Sequence, residues 1–220
     1  MTSPSSPLAD IPNLLRCETT PREAALAKAA EMTHAVYPHD AVYGQFCTVQ
    51  DYIDCPPEDV FDYLSDLRNL DEWTYSTRHF EPVPGATDGL HVGWDTLADD
   101  TRIYAKVVAN RESLTVDYHC AWDQGDELWM IYINRIIPAE LVLKKPGSVL
   151  VWTNCRHPYY DDNPNKHLVA DPNRVWVGDM WPLFYAGHRA ELDNLKAILE
   201  YRHSRGIPVT GHVVREGVSA

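Results

Sequence analysis

His188 and Glu191 stand one helical turn apart in the stretch WPLFYAGHRAELDNLKAILEYRH. An imidazole that titrates near neutrality and a neighbouring carboxylate could exchange a proton with a ligand, or one could orient the other. The competing reading is a satisfied core histidine beside a solvated glutamate. Arg135 is the second candidate. It alternates with Trp129, Ile131, Ile133 and Ile137, and a guanidinium on so apolar a face should be paired or should hold a carboxylate, phenolate or enolate. The other reading is a structural ion pair, or a register that turns Arg135 to water and puts Asn134 on the opposite face. Tyr104 and Tyr118 could donate to a carbonyl oxygen. His157 shares an alternating face with Val149, Val151, Thr153 and Cys155, which suits the mouth of a cavity. A His/Glu pair offers two metal ligands where three are normally needed, so no metal and no cofactor are expected. The chain has no GxSxG elbow, P-loop, GxGxxG fingerprint or HExxH, which removes the commonest motif-bearing enzyme classes.

The elements that must position these residues follow from periodicity. Trp181, Phe184, Tyr185, Leu192, Leu195, Ile198 and Leu199 recur at steps of three and four, which predicts a helix from about Pro182 to His203 with His188 on its buried stripe. Before it, segments near 77–83, 89–97, 101–109, 113–123, 128–138 and 148–157 are strand-like and separated by short polar turns. Such spacing implies antiparallel hairpins, because a parallel pair needs a crossover of about a dozen residues or more. A first strand is expected over Val42–Ile53. Pro56-Pro57-Glu58 then starts a short helix that buries Val60, Phe61 and Leu64, and a second runs from Leu67 to Trp73. Thr20-Pro21-Arg22-Glu23 opens a further helix over about 21–35, to pack on the domain or on a second subunit. The stretch 158–174, rich in proline, asparagine and aspartate, reads as a long loop placed where it could act as a lid.

Composition bounds the partners. The chain has 220 residues, enough for one substantial core, and a formal net charge of −13, which repels a nucleic-acid backbone. No apolar run approaches the roughly 20 residues of a membrane span, and no secretory signal opens the chain. The five cysteines lack CxxC spacing and read as reduced thiols, which implies a cytoplasmic protein.

The order of elements, and above all VQDYIDCPPEDVFDYLSDLRNLDEWTYSTRHFEPVPG, resembles the START-like superfamily, also called SRPBCC. Tyr52-Ile53, Pro56-Pro57-Glu58, Val60, Phe61, Leu64, Asp66, Leu70 and Trp73 carry the likeness. The resemblance implies an α+β helix-grip fold, a curved seven-stranded antiparallel sheet wrapped around the C-terminal helix, spanning 42–205. An N-terminal tail and extra helix (1–41) precede it and a C-terminal tail (206–220) follows. It also implies a deep cavity. Seven tryptophans and twelve tyrosines, many of them in strands, suit such a cavity, although an aromatic-rich core explains any one of them. Trp73, Trp94, Tyr104, Tyr132, Trp152, His157, Phe184 and Tyr185 are the expected ligand contacts. The leading expectation is a cyclase/aromatase-like enzyme acting on a polyketide or aromatic molecule, with His188, Glu191, Arg135 and Tyr118 as catalytic groups. Two alternatives stand beside it, a non-catalytic binding or transfer protein and a zinc-dependent carbon–carbon hydrolase. A hydrophobic or aromatic small molecule is the expected partner, with no nucleic acid, no membrane and room for a homodimer.

Overall fold

The computed structural model describes residues 8, 10–36, 45–98, 101–169 and 171–210. Seven strands form one antiparallel sheet: β1 (Phe46–Ile53), β2 (Thr77–Pro82), β3 (His91–Asp95), β4 (Thr101–Asn110), β5 (Thr115–Trp122), β6 (Met130–Pro138) and β7 (Ser148–Cys155). Their spatial order is β1-β7-β6-β5-β4-β3-β2, so every connection after β2 is a hairpin between neighbours, as the short polar turns require. Positions 42–44, where the first strand was expected to begin, lie outside the described residues, as do parts of both expected tails.

Helix α1 (Arg22–Val36) precedes the sheet, and α2 (Pro57–Leu64) and α3 (Leu70–Trp73) follow β1. Proline at the start of α2 loses no intrahelical bond, and Glu58 and Asp59 in its first turn oppose the helix dipole. Between β6 and β7 lies an element that periodicity did not signal, the short helix α4 (Ala139–Leu143). It ends at Lys144 with φ 56°. Gly147 follows with φ 104°, where an added Cβ would lie 2.7 Å from the Ile53 carbonyl oxygen, so only glycine fits this approach of β7 to the end of β1.

The long helix α5 (Phe184–Ser204) continues from a 3-10 segment, Val177–Leu183. Leu192, Leu195, Ile198 and Leu199 on its inner stripe are each fully buried. Truncating any one to alanine should cost about 2–5 kcal/mol. Asn194 ties the helix to two other segments: its side chain accepts from the Leu15 N–H at 2.9 Å and donates to the Leu15 and Trp73 carbonyls at 2.8 and 3.0 Å. Seven antiparallel strands closed by a C-terminal helix make this an α+β helix-grip fold. No helix among the described residues is long and apolar enough to cross a membrane.

The 158–174 loop is pinned. Arg174 donates twice to Asp123 at 2.8 Å, Asn163 donates to the same carboxylate at 2.8 Å, and Tyr160 is buried. Gly178 is required beside it, because a Cβ there would meet the Tyr160 carbonyl oxygen at 2.0 Å.

Candidate functional site

A cavity of about 160 Å³ lies between the sheet and the first two turns of α5. Its walls come from both halves of the sheet, with Asp95 and Ile103 on one side and Tyr118, Cys120, Tyr132 and Trp152 on the other. Trp73 and the Thr74–Thr77 segment close one end, and Phe184, His188 and Glu191 face in from α5. Helix α1 completes the enclosure with Ala25, Leu26, Ala29 and Met32. That helix was left open as packing on the domain or on another subunit, and its small and flexible apolar side chains form a wall.

His188 sits in an aromatic box. Its ring centroid is 4.3 Å from Trp152, 5.2 Å from Phe184 and 5.7 Å from Tyr132. Burial pushes its pKa down to about 3, so the imidazole is neutral at pH 7. Nδ1 lies 3.4 Å from Sγ of Cys47, whose thiol is pushed up to about 12 by burial and by Glu191. Two neutral groups therefore share this bond. A thiolate–imidazolium pair of the kind used in nucleophilic catalysis is not present.

Glu191 differs in kind. Oε1 accepts the Tyr75 N–H at 2.9 Å, and among the described residues no lysine or arginine bonds the carboxyl. Burial is the main cause that raises its pKa to about 7, with nearby Asp95 adding to the rise and Arg78 opposing it. Glu191 keeps part of its surface accessible and borders the cavity. Asp95, which sequence reasoning missed, is a second acid bordering the same cavity, from β3. It accepts from Ser76 Oγ at 2.7 Å and from the Leu97 N–H at 3.0 Å, and burial raises its pKa as well. Its only sequence signal was its place at the inward-facing end of a strand, which a single aspartate before a turn does not reveal.

The other expected residues divide. Tyr118 borders the cavity, but its hydroxyl is committed to the Leu64 carbonyl at 2.7 Å and its pKa is pushed well up by burial, so it serves as wall. Trp73, Tyr132, Trp152 and Phe184 line the cavity. Among the described residues the indole nitrogens of Trp73, Trp122 and Trp152, three residues that line the cavity, are buried without an acceptor.

Arg135 does not belong to the site. The inward face of β6 carries Met130, Asn134 and Ile136, whereas Arg135 is exposed and its guanidinium reaches the Ser113 carbonyl. Asn134 takes the inner position because its Nδ2 donates to the Val116 carbonyl at 2.9 Å, which lets a polar side chain be buried at 1% exposure. Trp94 is also outside, 38% exposed, with the Arg102 guanidinium over its ring at 5.2 Å. Tyr104 lies between the inward-facing Ile103 and Ala105 and therefore points to the outer face of β4. His157 caps the turn at 158–160 by accepting the Tyr159 N–H at 3.1 Å, and its ring packs on Trp129 and Tyr159. Tyr185 packs against the core without bordering the cavity. Among the described residues, no third metal-ligating group converges on His188 and Glu191, which leaves the zinc-hydrolase alternative without a ligand set there.

Residues 44–152 match the family model of a domain of unknown function, DUF8713. Comparison with curated proteins gives no match. Among solved structures the chain is similar to a START superfamily protein from Mycobacterium smegmatis, at 13% identity over 72% of this chain and 99% of that one, with a TM-score of 0.49. It is likewise similar to protein CV1439 from Chromobacterium violaceum, at 15% identity over 71% and 99% of the two chains with a TM-score of 0.47. A third similarity is to the Aha1 dimer from Colwellia psychrerythraea, at 13% identity over 70% and 96%, again with a TM-score of 0.47. Likenesses of this size describe an outline, and the fold rests on the strand order and helix placement of this chain.

Proposed function

We propose that the protein binds a small, mostly apolar molecule of about one aromatic ring in this cavity and moves a proton on it. Glu191 is the acid/base, and neutral His188 orients the ligand by hydrogen bonding. The observation that carries this reading is Glu191: a carboxyl with no bonded cation among the described residues, bordering an aromatic-walled cavity, with a pKa of about 7. A group poised there can both accept and return a proton at neutral pH. The expectation that His188 is the proton-transfer group moves one turn along the helix, because an imidazole at about 3 is a poor base. The volume favours a single ring, since a cavity of about 150 Å³ accommodates benzene.

Tryptophan fluorescence with a panel of single-ring aryl ketones, together with proton–deuterium exchange of their acidic C–H in deuterated buffer, tests this reading. The expected result is saturable quenching and accelerated exchange in the natural protein, with quenching retained and exchange reduced about 10²–10⁴-fold in Glu191→Gln. Binding with unchanged exchange in both proteins would leave the cavity as a carrier site and overturn the catalytic reading.

A further inference from the structure

We propose that Cys55, Asp59 and His203 form a second site, outside the cavity, that binds a borderline-soft divalent cation such as zinc. A thiol sulfur, a carboxylate oxygen and an imidazole nitrogen from these three residues all lie within 4.8 Å of one another. A tetrahedral zinc with these donor types spaces them about 3.5 Å apart, so a shift of about 1 Å brings them to ligating distance. His203 is exposed in the last turn of α5 and can supply that movement by a side-chain rotation.

The other two donors are held by rigid backbone. The Cys55 N–H donates to the Ile53 carbonyl at 2.9 Å, and its own carbonyl accepts from Ser148 Oγ at 2.7 Å. Asp59 lies four residues on, in the first turn of α2. The surroundings are acidic. Asp59, Asp54 and Glu200 all bear electrostatically on the Cys55 thiol, and Glu200 is itself fixed by the Asp54 N–H at 2.9 Å. The cation facing this group is Lys196, 3.5 Å from Glu200 and shared with Asp51. Soft sulfur, imidazole and carboxylate together select a zinc-like ion over magnesium or calcium, which prefer all-oxygen shells. Binding displaces the thiol proton to solvent and uses the neutral imidazole. The three donors come from the β1–α2 junction and the far end of α5, so the ion would fasten the helix that carries His188 and Glu191 to the sheet at its opposite end.

Cobalt titration of the full chain, read by the thiolate-to-cobalt charge-transfer band, tests the site alongside zinc calorimetry and thermal melts. The expected result is one equivalent bound, a band abolished in Cys55→Ser, affinity weakened about tenfold or more in His203→Ala, and a zinc-dependent rise in Tm that His203→Ala removes. His203 is exposed, so its variant decides the matter even if Cys55→Ser folds poorly. Absence of the band in the folded natural protein, or a band and affinity unchanged in His203→Ala, would overturn the site. Either outcome is independent of Glu191 and the cavity.

Discussion

The two halves of α5 bury charge in opposite ways. In the C-terminal half, Arg202 donates to both oxygens of Glu72 at 2.9 Å, and the Tyr63 hydroxyl donates to the same carboxylate at 2.7 Å. The Arg202 and Glu72 charges are thus paired with each other. In the N-terminal half, Glu191 receives one backbone N–H and, among the described residues, no bonded cation, and His188 meets aromatic faces and a thiol. Both regions are deep in the protein, so burial alone does not separate them. The difference is compensation. The paired half holds the helix down, and the uncompensated half borders the cavity.

Breaking the paired half should have the largest effect. Arg202→Met leaves Glu72 buried without its cation and should destabilise the fold by about 3–5 kcal/mol in denaturant titration. Glu191→Gln should act in the other direction. The folded carboxyl titrates near 7 rather than 4.5, so the natural protein loses stability as pH rises from about 4.5 to 7. The variant, lacking that titration, should be more stable at pH 8 by up to about 3 kcal/mol and equal at pH 4. His188 has the opposite sign. Its folded pKa is depressed to about 3 from 6.5, so folding loses stability as pH falls below 6.5, by roughly 2 kcal/mol at pH 5. His188→Gln should flatten that acid limb in melts run from pH 7 to 5. Arg135→Gln, on the outer face, should change stability by less than about 0.5 kcal/mol and leave ligand binding untouched. A loss of stability at pH 8 in Glu191→Gln, or a loss above about 1 kcal/mol in Arg135→Gln, would contradict this ranking.

The fold was legible because its signals were local. Alternation and polar turns located β2 to β7, and Pro56-Pro57-Glu58 placed α2. The site was half legible. Position on the apolar stripe of α5 pointed to His188, with Glu191 one turn on, and both border the cavity, but which of them titrates near neutrality depends on desolvation in three dimensions. Arg135 failed for a different reason. Ile131, Ile133 and Ile137 made its face the more apolar of two, and yet that face looks outward, with Ile133 41% exposed. Strand register was decided instead by Asn134 finding the Val116 carbonyl and by Trp152 across the ladder, contacts that no single strand's pattern contains. The wall supplied by α1 and the Cys55–Asp59–His203 cluster were hidden for the same reason, since both join segments distant in the chain.

Carboxyl-carbon NMR titration of the protein, with Glu191 assigned by its absence in Glu191→Gln, addresses the contrast most directly. The expected result is a midpoint near 7 that moves when a single-ring ligand fills the cavity. A midpoint near the ordinary 4.5, indifferent to ligand, would contradict the proposal that the uncompensated half of α5 is the working site.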